Sequence, residues 1–213
     1  MRVLLCVFYL LVTCVSLAFA QPEIRVNIPA FKLLLIENDQ IIKEYNIAVG
    51  TPYEQTPTGA FKIFYKEQNP TWIPGSNFND HTPVPPGPEN PLGTRWMEFK
   101  TNYGIHGTNK GWDISYPVSG GCLRMQDSDA REIYELVQIG TPVIITYETL
   151  LLIEKPDGLY LKAFPDIYNR GTNTTARLLE FYQPYASKYP NFKIPQSLTQ
   201  PIDTPVELKL SSK

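Results

Sequence analysis

Beyond residue 20 the chain holds one cysteine, Cys122, and two histidines, His81 and His106. A thiol has a pKa of about 8.5, so it is a weak nucleophile at neutral pH unless a base takes its proton. An imidazole is the usual base, and the minimum set for nucleophilic catalysis is therefore present, with one histidine to spare. His106 sits in Tyr103-Gly104-Ile105-His106-Gly107-Thr108, where flanking glycines leave the ring accessible and let the backbone turn sharply. Cys122 sits in Ser119-Gly120-Gly121-Cys122-Leu123-Arg124-Met125, again behind glycines. Consecutive amides at such a turn suit an oxyanion hole beside the sulfur, built from Gly120, Gly121 and Cys122. Arg124 is a cation two residues beyond the thiol, suited to hold a substrate carboxylate and to favour the thiolate. From composition alone the opposite assignment stays open: a lone cysteine is often a small buried apolar residue. His81, between Asp80 and Thr82, reads as a solvated loop residue. Asp113 and Ser115 read as loop caps in preference to substrate contacts.

Around these residues the sequence lays out short strands. Phe31–Ile36 and Ile41–Val49 flank the polar Glu37-Asn38-Asp39-Gln40 and read as a β-hairpin. Phe61, Ile63 and Tyr65 alternate with Lys62 and Phe64, the pattern of one half-buried strand. Residues 68–93 are dense in proline, which lacks a backbone donor, and predict an irregular loop that faces substrate. After Cys122 a helix is expected, capped by Asp127 or Ser128, with Ala130, Ile133, Tyr134 and Val137 on one stripe and Gly140 ending it. A strand over Val143–Tyr147 follows. Three segments result: a leader (1–20), a main domain (21–148) and a C-terminal extension (149–213). The extension carries a hairpin at Asp157-Gly158, a short helix over Thr175–Tyr182 and a loose C-terminus.

Composition narrows the function classes. Hydrophobic residues make up 43% of the chain and aromatics 12%, values of a globular protein, not a disordered one. Net charge is −2 and there is no basic run, so the positive face that nucleic-acid binding requires is missing. Arg2, the apolar run Val3–Phe19 and Ala18-Phe19-Ala20 form a signal-peptide pattern with cleavage expected after Ala20. The alternative is an uncleaved anchor, because the run approaches the ~20 residues that span a bilayer. An exported product, secreted or held in the periplasm or cell envelope, follows. With Cys6 and Cys14 in the leader, an internal disulfide and a multi-cysteine zinc site are both excluded.

The ordered set Ile105-His106-Gly107-Thr108 and Ser119-Gly120-Gly121-Cys122-Leu123-Arg124-Met125 resembles the signature of the L,D-transpeptidase catalytic domain, the YkuD type. Thr56-Pro57-Thr58-Gly59-Ala60-Phe61, Asn69-Pro70-Thr71-Trp72 and Asn90-Pro91-Leu92-Gly93 agree in order. The extension around Glu154–Tyr160 is similar to that of the ErfK/YbiS-like branch. Gly120 departs from the histidine many members carry, but the family's catalytic imidazole corresponds to His106. The resemblance implies a mainly β (α+β) fold, a YkuD-like β-sandwich of mixed sheets with a helix after the cysteine. It implies Cys122 as nucleophile, His106 as proton shuttle and the Gly107 carbonyl as the group orienting the imidazole. Arg124, Ser119, Gly120 and Gly121 are then the residues expected around the substrate, with no metal or organic cofactor. The implied partners are peptidoglycan stem peptides, with an amine of another stem or of a lipoprotein as acceptor, acted on by a monomer. Hydrolysis in place of transfer, a wall amidase, and a non-catalytic wall-binding domain are the competing expectations. The amidase is disfavoured because its cysteine precedes its histidine.

Overall fold

The computed structural model describes residues 21–75, 78–195, 198 and 202–212; the leader, with Cys6 and Cys14, lies outside them. In chain order the strands are β1 (Glu23–Asn27), β2 (Lys32–Glu37), β3 (Gln40–Asn46), β4 (Val49–Gly50), β5 (Gly59–Lys62), β6 (Tyr65–Gln68) and β7 (Arg95–Lys100). They continue with β8 (Tyr103–His106), β9 (Pro117–Ser119), β10 (Leu123–Arg124), β11 (Pro142–Thr146), β12 (Leu150–Lys155), β13 (Gly158–Ala163) and β14 (Val206–Ser212). The α-helices among the described residues are α1 (Asp127–Leu136) and α2 (Thr175–Tyr182).

A five-stranded sheet in the order β3-β2-β1-β11-β5 faces a four-stranded sheet in the order β10-β8-β7-β6. The first is antiparallel except at β1/β11, and the second is antiparallel except at β10/β8. One hydrophobic cluster joins them. It takes Ile24, Val26, Leu33, Leu35, Val143 and Ile145 from the first sheet, and Met97, Phe99, Ile105 and Leu123 from the second. Such side chains each contribute about 1.5–3 kcal/mol on full burial. The architecture is thus mainly β with mixed sheets, as the sequence implied.

The β2/β3 hairpin turns at Asn38 and Asp39, with φ of 50° and 59°. Two successive left-handed residues match the right-handed twist of hairpin strands, and Asn and Asp tolerate that region best after glycine. The single strand expected over residues 61–65 is instead two. β5 belongs to the first sheet and β6 to the second, and the chain changes sheet at Ile63 and Phe64, whose amides donate to Thr141 and Glu98 carbonyls respectively. The alternation ends at the corner: Ile63 is fully buried, while Phe64 and Tyr65 are both exposed.

Helix α1 follows the cysteine as expected, with Ala130 and Ile133 buried. Its ends differ from expectation. No side chain caps its N-terminus, because the Asp127 carboxylate instead accepts from the Thr94 amide at 2.6 Å and the Thr94 hydroxyl at 3.0 Å. The helix stops at Leu136, and Gly140 (φ 96°) lies in the turn that enters β11.

The extension forms its own three-stranded sheet, β12-β13-β14, with α2 against it and a separate cluster of Leu150, Leu161, Leu178 and Leu210. The loose C-terminus expected from sequence is corrected here. Residues Val206–Ser212 pair antiparallel with β13, half-burying Val206 and Leu208 and burying Leu210 and Ser211.

Candidate active site

Period-two alternation in the second sheet decides where the chemistry lies. Met97, Phe99, Ile105 and Leu123 point into the core, so the even-numbered residues beside them point outward. The register pairs Trp96 with His106, Glu98 with Gly104, and Arg124 with His106. Cys122 immediately precedes β10, which extends the parallel pairing so that it lies alongside Gly104. Cys122 and His106 are therefore diagonal neighbours on one outward face, with Arg124 beside the histidine. Diagonal pairs on a sheet face sit about 7–8 Å apart at the backbone, within reach of long side chains.

The imidazole is enclosed. His106 is 3% exposed, and its Nδ1 lies 2.6 Å from the Gly107 carbonyl oxygen. With the proton on Nδ1 donated to that carbonyl, Nε2 is left as the basic nitrogen. The Trp96 ring packs 5.7 Å away, centroid to centroid, and covers one side. Burial, then the neighbouring Arg124 cation, push the His106 pKa down to about 3, against a smaller opposing pull from the Gly107 and Leu92 carbonyls. The resting ring is neutral.

The thiol is half-buried, and it donates to the Asn102 carbonyl at 3.7 Å. Burial raises its pKa, with Glu98 adding in the same sense, while the Gly104 amide and Arg124 pull it down. The resting pair is thus thiol and imidazole, not thiolate and imidazolium. Sequence reasoning expected Arg124 to favour the thiolate; here desolvation outweighs it.

The glycines have specific reasons. Gly121 has φ of 104°, and a Cβ there would lie 2.6 Å from the Tyr103 ring. A Cβ at Gly107 would lie 2.3 Å from Asp127 Oδ1, the carboxylate that anchors Thr94. Ser119 is buried. Its hydroxyl donates to the Cys122 carbonyl at 2.6 Å and accepts from the Gly121 amide at 3.1 Å, so it shapes the turn from within. That engages one of the amides read as an oxyanion donor. Gly120 is exposed at the surface of the turn.

Arg124 is held by Asp113, Nη1 to Oδ2 at 2.6 Å, with side chains 18% and 5% exposed. Asp113 is therefore a partner of the site cation and not a loop cap. Ser115 is exposed with φ of 73°. His81 is exposed on the proline-rich loop, as expected. The described parts of that loop gather on buried Asn90, whose amide donates to the carbonyls of Pro70, Val84 and Pro85 at 2.8, 3.1 and 3.2 Å. Its last residues reach His106 through the Leu92 carbonyl.

Trp96, Glu98 and Asn102 were missed from sequence. Glu98 accepts from the Asn102 amide at 2.9 Å and so fixes the carbonyl that meets the thiol. The alternation of Trp96 and Glu98 with apolar Met97 and Phe99 was the available signal.

The L,D-transpeptidase catalytic domain model (YkuD) matches residues 21–145. YqjB of Bacillus subtilis, whose name assigns it provisionally to the L,D-transpeptidases, is 32% identical over 135 residues, covering 59% of this chain and 71% of its own. ErfK/SrfK of Escherichia coli, likewise named provisionally, is 30% identical over 146 residues, covering 63% of this chain and 47% of its own. Among solved structures, L,D-transpeptidase 3 from Mycobacterium tuberculosis in complex with a faropenem-derived adduct superposes with a TM-score of 0.50 at 17% identity. That match covers 61% of each chain. The chain spans 65% of the length of the Bacillus YkuD relatives and under half of the Escherichia coli one.

Proposed function

This chain belongs to the L,D-transpeptidase catalytic domain family, and on that premise we propose that it forms a cysteinyl acyl-enzyme with peptidoglycan tetrapeptide stems and passes the acyl group to an amine. Cys122 sulfur attacks the carbonyl of the third stem residue, a diamino acid. Its proton passes to His106 Nε2 as the S–C bond forms, because a neutral imidazole and a protonated thiol must exchange the proton during attack. The bond to the terminal D-alanine then breaks, and His106 returns the proton to the departing amine. Backbone amides around Gly120 and Cys122 hold the oxyanion. An amine of a second stem, or of a lipoprotein, attacks the thioester and releases the cross-linked product. Water in that role would make the same site a carboxypeptidase. The work is done outside the cytoplasm, in line with the leader pattern of residues 1–20.

The observation that carries this reading is the β8/β10 register, which pairs Arg124 with His106 and, extended by one residue, brings Cys122 to the same sheet face. The test is intact mass of the purified chain after incubation with imipenem or with tetrapeptide muropeptides. A covalent adduct that is lost in Cys122→Ala, with D-alanine release by the unaltered chain, is the expected result. No adduct and no D-alanine from the unaltered chain would overturn it. Dimeric muropeptide among the products distinguishes transfer from hydrolysis.

A further inference from the structure

The extension reaches back to the reactive turn through residues 164–172, beyond the stretch that the family model matches. Tyr168 is 5% exposed and belongs to the main hydrophobic cluster although it lies in the extension. Its hydroxyl donates to the Gly50 carbonyl at 3.0 Å and accepts from the Thr56 amide at 3.2 Å, so one oxygen closes both ends of loop 50–56. The Gly50 amide donates to Thr56 Oγ1 at 2.9 Å across the same neck. Nearby, Arg170 reaches Gln55 Oε1 at 2.6 Å while its guanidinium lies 4.3 Å from the centre of the Tyr147 ring. Tyr147 stacks on Tyr168 at 5.2 Å, and its hydroxyl donates to Asp166 at 2.6 Å and accepts from the Tyr168 amide at 2.8 Å. Tyr168 is thus held from both sides.

Loop 50–56 is in turn the floor of the Ser119–Cys122 turn. A Cβ on Gly50 would lie 2.9 Å from Gly121 Cα, and one on Gly121 would lie 3.3 Å from the Gln55 carbonyl. The Thr51 amide donates to the Ser119 carbonyl at 3.0 Å, and Ala48 and Arg124 exchange backbone bonds at 2.7 and 3.0 Å. Any opening of the loop neck removes the surface against which left-handed Gly121 is packed.

We infer that Tyr168 is a positioning residue for the Cys122 nucleophile: its hydroxyl locks loop 50–56, which holds the Gly121–Cys122 turn in register with His106. The extension thereby completes a site whose reacting groups come from the main domain. This rests on the Cys122 acyl-enzyme reading.

Tyr168→Phe keeps the ring stack and removes the hydroxyl. Tyr182→Phe is the control, since it deletes a comparable buried bond (hydroxyl to the Tyr189 carbonyl, 2.5 Å) inside the extension's own cluster. Imipenem acylation at saturation should slow by about tenfold in Tyr168→Phe, the change expected for one lost hydrogen bond, and stay within twofold in Tyr182→Phe. Amide exchange over residues 119–122 should accelerate only in the first. Equal acylation in Tyr168→Phe and the unaltered chain, or equal slowing in both variants, overturns the inference. If Tyr168→Phe does not fold, Arg170→Gln at an exposed position decides, with about threefold slowing expected and none overturning it. If the unaltered chain is not acylated, the catalytic reading fails. The exchange result then still upholds or overturns the positioning role.

Discussion

Burial moves the two reacting side chains in opposite directions, and both moves leave them uncharged. Desolvation lifts the Cys122 thiol above its usual value and pushes His106 down to about 3. Between pH 5 and 8 the imidazole is therefore a free base and the thiol is protonated. The rate of alkylation by iodoacetamide should climb steadily from pH 7 to beyond 9, without the flat region a standing thiolate–imidazolium pair would give. A plateau from pH 5 to 8 would show that the ion pair forms after all. Sequence could name these two residues, because the family signature and their glycine settings are local. It could not give their charge states, which depend on the depth of His106 and on Arg124 lying across from it in the β8/β10 pair.

At the scale of elements, the proline-rich loop is held by one side chain more than by its prolines. Asn90 is fully buried, its amide reaches three carbonyls, and its Oδ1 accepts from the Leu92 amide at 2.8 Å. Asn90→Ala takes the side-chain donor from the buried Pro70 carbonyl and from that of Pro85, while the Val84 carbonyl keeps the Trp72 amide, and should cost about 1–3 kcal/mol in chemical denaturation. Cleavage by a non-specific protease within residues 70–90 should accelerate, and unchanged stability with unchanged cleavage would mean that the bridge between Trp72 and Val84 suffices. The loop was legible as irregular, because proline forbids ladder bonding. Its organising residue was not, since an asparagine among turn formers looks like any other. The strand over residues 61–65 failed for a related reason: alternation reports which side is buried, and Ile63 is buried by both sheets at their corner.

For the whole molecule, the extension is more than a tail. Its β12-β13-β14 sheet and α2 enclose a cluster of their own, and the Arg177–Glu148 pair at 2.9 Å lies where β11 hands over to β12. Leu210 on β14 is 4% exposed among Leu150, Leu161 and Leu178. Leu210→Ala should cost about 2–5 kcal/mol, the range for a leucine removed from a packed core. If the extension unfolds as a separate unit, denaturation followed at Trp96 will trail denaturation followed by far-ultraviolet circular dichroism in this variant. Coincident curves would mean one cooperative body. The C-terminal strand escaped notice because β14 pairs with a hairpin some fifty residues earlier, and Val206–Ser212 alternates too weakly to announce a buried face alone.

Residue types and local order determined the chemistry on offer: a single thiol beyond residue 20, an imidazole in a glycine turn, a hairpin at Asn38-Asp39 and a helix after that cysteine. Each depends on a few adjacent residues, so each is written in a short window. Tertiary structure alone decided that Trp96 covers His106, that Glu98 and Asn102 flank the thiol, that Asp113 neutralises Arg124, and that Tyr168 arrives from the extension to brace Gly50 and Thr56. Those contacts join segments far apart in the chain, and they exist only because burying two sheets against one core fixes their register.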